Sequence, residues 1–256
     1  MCLIALAHRV HPDYPLVVAA NRDELYARPT AQAAFWQDQP SILAGRDLEC
    51  MGTWLGVTTR GRFAAVTNFR DPSEKRSTAR SRGGLVSDFL LSDAAPEGFL
   101  AALAPHAGEY NGFNLIVGDG ASLWYFGSRE AEARAIEPGV HGLSNHRLDE
   151  PWPKVVRGRM AMEEALGEAD PAPPLFAALA DATGAPDDLL PDTGVGIAWE
   201  RRLASPLITG PDYGTRSSTV LTATDGGAIF FEERTLGQTG EPEARRTERL
   251  KLQAHQ

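Results

Sequence analysis

The sequence predicts an α+β domain in which antiparallel hairpins enclose a helical middle. Three observations lead there. Short apolar runs come in pairs around turn-forming residues at both ends of the chain. Between them the apolar spacing changes to a helical period in several stretches. Strands follow one another directly instead of alternating with helices, which argues against a parallel βαβ wind. At 256 residues, 43% hydrophobic and 23% charged, the chain is long enough to bury a sizeable core. No linker of distinct composition divides it, so residues 1–240 read as a single domain and residues 241–256 as a polar tail expected to fray.

In order, residues 2–7 and 15–20 are apolar runs separated by His11-Pro12-Asp13-Tyr14, the pattern of a β-hairpin. A loop of mixed character follows to residue 42. Residues 53–59 and 62–68 form a second hairpin around Arg60-Gly61, with Ala64, Val66 and Asn68 on one face. Over residues 80–91 the period changes: Leu85, Val86, Phe89 and Leu90 make a helical stripe behind Gly83-Gly84, and residues 99–103 continue as helix. Residues 113–117 and 122–127 flank Gly118-Asp119-Gly120 as a third hairpin. Residues 140–145 read as a short strand end, and 154–166 and 174–182 as helices with a proline-rich joint. Residues 216–224 and 227–233 form a fourth hairpin around Asp225-Gly226.

Several function classes are excluded at this level. With 25 Lys+Arg against 34 Asp+Glu the net charge is −9, and no basic block supplies a nucleic-acid footprint. No uncharged apolar run reaches the 18 or so residues of a membrane helix. The first residues lack the basic segment and the cleavage-like end of a secretory signal. Two cysteines make no disulfide framework, so a reduced, cytoplasmic protein is the expectation.

Cys2 is the most informative residue. An initiator Met before a small residue is ordinarily trimmed, which would leave Cys2 as the N-terminus. A free α-amine titrates at about 7.7–8.0 and a free cysteine thiol at about 8.5, so the amine of such a residue can take its thiol proton near neutrality. Nucleophile and base then sit on one residue, and the natural reaction is amide cleavage through a thioester. The other reading of Cys2 is a small core residue of the first strand. Asn21-Arg22-Asp23-Glu24 follows the second run, where its charges can orient an N-terminus on the neighbouring strand; the other reading is a solvated turn.

Cys2, Asn21-Arg22-Asp23-Glu24, Thr53-Trp54-Leu55-Gly56, Thr67-Asn68-Phe69-Arg70, Ser81-Arg82-Gly83, Phe113-Asn114-Leu115, Leu143-Ser144-Asn145 and Tyr213-Gly214-Thr215-Arg216-Ser217-Ser218 occur in that order. Together they resemble the NRDE-motif family, which includes the transport and Golgi organisation protein 2 homologs. That family is in turn similar to the cysteine-type N-terminal-nucleophile hydrolases, the choloylglycine hydrolase and penicillin V acylase group. The resemblance implies a four-layer αββα sandwich with the nucleophile on the first strand. It implies Cys2 as nucleophile, Asn68 as an active-site Asn and Asn145 as the oxyanion-hole Asn. Arg216 would be a late active-site Arg, and Arg22 and Asp23 would flank thiol and amine. In the hydrolase group that Arg and Asp are separated by intervening residues, whereas here they are adjacent and on a strand would face opposite ways. Either the segment turns there, or Asn21 and Glu24 take those roles.

Carboxamide donors suit an oxyanion, where each is worth about 2.7–4 kcal/mol, and a guanidinium favours a thiolate. Read alone, either Asn is equally a strand-end cap. His8 and His11, and His141 and His146, lack the further ligands of a zinc site. Gly194-Val195-Gly196 is no dinucleotide fingerprint. Arg76, Arg80 and Arg82 precede a helix start that can hold a phosphate, or else are a solvated loop. Trp54, Trp124, Trp152 and Trp199 read as core or pocket wall, and Cys50 as an inert packing residue. The expectation is an amidohydrolase or acyltransferase for a small-molecule amide that requires no cofactor. The rival, also implied by the resemblance, is a non-catalytic carrier of haem or acyl-CoA using the same pocket.

Overall fold

The computed structural model describes residues 2–74 and 76–252. Met1, whose removal the sequence reading requires, lies outside the described residues, as do the last four residues of the tail.

Among the described residues the strands form two antiparallel sheets. The first contains β1 (Cys2–His8), β2 (Leu16–Leu25), β10 (Gly139–Leu143), β11 (Tyr213–Ala223), β12 (Ala228–Leu236) and β13 (Pro242–Lys251), in the order β10-β1-β2-β11-β12-β13. The second runs in chain order through β3 (Thr30–Phe35), β4 (Ile42–Asp47), β5 (Leu55–Thr58), β6 (Phe63–Asn68), β7 (Phe113–Gly118), β8 (Leu123–Gly127) and β9 (Arg134–Ala135). Helices α1 (Gly83–Leu91) and α2 (Pro96–Leu103) cover the outer face of the second sheet. Helices α3 (Pro153–Ala165) and α4 (Ala172–Leu179) cover the first, and α5 (Ile197–Leu203) follows in the long connection to β11.

Alternation along the strands explains the layering. Ile4, Leu6, Val18 and Ala20 point between the sheets onto Leu43, Leu55, Val57 and Ile116. Ala5, Ala7, Val17 and Ala19 point outward beneath Met162, Ala165, Leu175 and Phe176. Both faces of β1 and β2 are thus buried, which is why the two segments read as continuous apolar runs. A third core, with Leu85, Val86, Phe89 and Leu90 against Phe113, Leu115 and Val117, seats α1 on the second sheet. The result is the α+β, four-layer αββα sandwich, and all four expected hairpins pair as expected.

Four expectations are corrected. Asn21-Arg22-Asp23-Glu24 lies inside β2, because β1 and β11 pair with it on both sides. The loop expected before residue 42 contains β3, whose pairing with β4 is broken by a bulge between Ala31 and Ala34. Residues 99–103 belong to a separate helix that restarts at Pro96. The tail is not frayed over residues 242–251: it forms β13 along β12. Its run of charges is what an edge strand open to water carries to block further pairing.

Candidate active site

Hydrogen bonding sets Cys2 directly opposite Arg22. Residues 2, 4, 20 and 22 share the face between the sheets, so thiol and guanidinium are neighbours there. Arg22 lies flat over Trp54, 4.2 Å from the ring centroid, and donates to Thr30 Oγ1 at 3.2 Å. The Trp54 ring reaches this position only because residue 45 is glycine; a Cβ there would come within 2.2 Å of it.

Asp23 and Asn21 face the helices instead. Asn21 donates to the carbonyls of Leu179 and Pro206, and its oxygen accepts from Ser218. Asp23, 2% exposed, accepts a 2.7 Å bond from Thr215. The adjacency of Arg22 and Asp23 is therefore resolved without a turn: the pair straddles β2, one residue on each side. The strand end places Cys2 between them. Burial pushes the Cys2 thiol up and the Asp23 carboxylate adds to this, while the Asp23 N–H and Arg22 pull it down.

Cys2 lines a cleft of about 280 Å³ with Arg22, Trp54, Asn68, Ser81 and Arg82. Asn68 ends β6 there, and its carboxamide has no hydrogen-bond partner among the described residues. Asn145 is fully buried behind it; its Nδ2 donates to the Asn68 carbonyl at 2.9 Å and its Oδ1 accepts from Ser144. Ser144 also donates to the Cys2 carbonyl at 2.9 Å, tying the end of β10 to the first residue of β1. Thr67 donates to the Ser144 carbonyl and Asn114 to the His146 carbonyl, which fixes this loop to the second sheet.

Arg216 is placed differently. It is the extra residue of a bulge between Thr215 and Ser217, and its Nη1 donates to the carbonyls of Leu25, Tyr26 and Arg28. It braces the turn after β2 and does not line the cleft. Cys50, expected as packing, is exposed on the cleft rim beside Arg28. Of the arginines weighed as a phosphate cradle, Arg76 donates to the Tyr110 carbonyl and Arg80 pairs with Glu109. Arg82 donates to the Gly112 carbonyl and has no carboxylate partner among the described residues. The histidines are spent elsewhere: His8 on the Ile136 carbonyl, His141 on Asp149 and His146 on Glu150.

Lys154 escaped the sequence reading. It lies in the first turn of α3, behind Pro153, and is 1% exposed. A cation in a helix's first turn opposes the helix dipole, and that misplaced charge was the available signal.

Among the described residues no helix is long and apolar enough to cross a membrane. A solved structure described as the C2A mutant of conjugated bile acid hydrolase from Clostridium perfringens aligns with a TM-score of 0.40 at 10% identity, over 96% of each chain. The Transport and Golgi organization protein 2 homolog of Bos taurus is 38% identical over 92% of this chain and 93% of its own length. The Homo sapiens homolog is 36% identical over the same shares. The Transport and Golgi organization protein 2 of Drosophila melanogaster is 28% identical over 66% of this chain and 67% of its own. The family model described as Transport and Golgi organisation 2 matches residues 1–238, and this chain belongs to that family.

Proposed function

We propose that the protein is a cysteine amidohydrolase or acyltransferase of the N-terminal-nucleophile type, acting on a small linear amide. The observation that carries this reading is the setting of Cys2. Cys2 lines the cleft, with Arg22 on one side of the strand, Asp23 on the other and Asn68 in the same cleft wall. Once Met1 is removed, the α-amine of Cys2 takes the thiol proton and the sulfur bonds to the amide carbon. The Asn68 N–H supports the oxyanion, and Asn145 fixes the strand end that carries it. Collapse breaks the C–N bond, the leaving amine takes the proton back, and water or an acceptor amine resolves the thioester. Arg22 lowers the cost of the thiolate. No step calls for a metal or organic cofactor, and a free thiol suits a reducing cytoplasm.

The carrier reading fares unevenly at this site. Among the described residues the cleft wall includes no histidine for haem, and its sulfur atoms are those of Cys2 and Cys50. Arg76, Arg80 and Arg82 offer charge to the phosphates of an acyl-CoA, but the same charge serves an anionic amide.

The test begins with intact mass, where the mature protein is expected to lack Met1. An electrophilic β-lactam should then add to Cys2 in the native protein and leave Cys2→Ala unlabelled. Retention of Met1, or equal labelling of Cys2→Ala, would overturn the reading.

A further inference from the structure

An ammonium in a protein interior is costly unless it is paired and hydrogen-bonded. Lys154 is 1% exposed, and among the described residues its Nζ has no hydrogen-bond partner. It sits in the first turn of α3, where the helix dipole also opposes it. An arrangement this unfavourable calls for a compensating charge, and the nearby groups identify it. Trp152 and Val155, on either side of Lys154, pack on Leu3 of β1, whose β2 partner Asn21 shares its face with Asp23. The charges that act on Lys154 there are Asp23, Arg70, Cys2 and Glu200, with Arg70 from the segment after β6 and Glu200 from α5 beside it. Glu200 is already bonded to Arg70 and to Thr193. Arg70 repels Lys154. Asp23 is its strongest attractive neighbour, and Lys154 is likewise the strongest attractive charge on Asp23.

Arg22 does not serve Asp23 in the same way, since it leaves β2 on the opposite face, over Trp54. On the helix side the carboxylate has the hydroxyl of Thr215 and the charge of Lys154.

We propose that Lys154 is a positioning residue for the Cys2 site: its buried ammonium is the counter-charge that keeps Asp23 a carboxylate, so that Asp23 can hold the α-amine of Cys2. The proposal rests on Cys2 being an N-terminal nucleophile. Burial alone pushes Asp23 up and would favour the neutral acid. A neutral Asp23 accepts more weakly from the amine, and the amine is then free to turn away from the sulfur. Lys154 itself is pushed down to about 8 by burial and held up by Asp23. It therefore supplies its charge through the neutral range and loses it in mild alkali.

The experiment uses the full chain with Cys50→Ser, so that only Cys2 is read, and follows acylation by p-nitrophenyl acetate from pH 5.5 to 9.5. In Lys154→Met the acid limb of the rate profile should move up by about one pH unit. That corresponds to about a tenfold loss on the limb, with the rate above pH 9 within about threefold of the parent. Uniform loss at every pH, or an unmoved limb in a folded variant, overturns the proposal. Should Lys154→Met fold poorly, Asp23→Asn/Lys154→Met should be more stable in urea than either single variant, because both buried charges have gone. Additive losses overturn it. A parent that is not acylated at Cys2 brings down the nucleophile reading and this inference with it. An acylated parent with an unmoved limb brings down the inference alone.

Discussion

Asn68 ends β6, Asn145 lies two residues beyond β10 in the facing sheet, and both carry the same side chain, yet their surroundings divide the work between them. Asn68 is half-buried with its carboxamide in the cleft, whereas Asn145 is fully buried and bonded to the Asn68 carbonyl and to Ser144. Asn68→Ala removes a donor aimed at the cleft and little packing. It is expected to lower kcat by about 10²–10³-fold with KM changed only a few-fold, since an oxyanion donor acts on developing charge. Asn145→Ala instead removes the brace, leaving the buried Asn68 carbonyl without its carboxamide donor. A stability loss of about 1–3 kcal/mol in urea titration is expected with the fall in turnover. Steady-state kinetics and denaturation on both variants check the division; a stability loss in Asn68→Ala as large as in Asn145→Ala would contradict it.

At the scale of elements, β13 shows what an edge strand contributes. It pairs along β12 from Pro242 to Lys251, and Arg245 reaches over to the buried carboxylate of Glu232. Ending the chain after Gly240 removes this cover, exposes the β12 ladder and strips two partners, Arg245 and Thr247, from Glu232. The truncated protein is expected to melt at a lower temperature and to associate through the bared edge, as seen by scattering. A monomer with unchanged melting would refute this. The same strand marks where the sequence stopped being legible. Hairpins such as β7–β8 announce themselves, because apolar runs meet at Asp-Gly turns and both strands are buried. Residues 242–251 are mostly charged, and pairing with β12 holds them in the sheet, which only the tertiary structure shows. Segment 21–24 was misplaced for a related reason: polar residues inside a strand mimic a turn when each has a specific buried partner, as Asn21 has in Ser218 and Asp23 in Thr215. Cys2, its facing Arg22 and the two Asn positions were readable as motifs. Lys154 carried no motif, and the bracing role of Arg216 depends on a bulge that the sequence does not show.

For the whole molecule, the relation of the two sheets near the site hangs partly on one carboxyl group. The bulge in β3 leaves the buried Ala33 N–H outside the ladder, and Glu233 of β12 crosses between the sheets to accept it at 2.7 Å. Burial pushes Glu233 up to about 7, although the Ala33 N–H and Arg22 both favour its charged form. In the unfolded chain a glutamate titrates near about 4.3. Between these values the folded protein binds one proton more than the unfolded one, so stability falls as pH rises. The contribution is complete below about 4.3 and lost as pH passes through about 7, with a size on the order of 3–4 kcal/mol. Glu233→Gln keeps an oxygen for Ala33 and cannot ionise. It should leave stability near pH 4.5 within about 1 kcal/mol of the parent and raise it by about 1–3 kcal/mol at pH 8, as read from urea titrations at both pH values. A gain of equal size at both would mean that the charge of Glu233 is not what strains the join. A loss at pH 8 would mean that the ionised carboxylate, paired through Arg22, holds the sheets together more strongly than its burial costs.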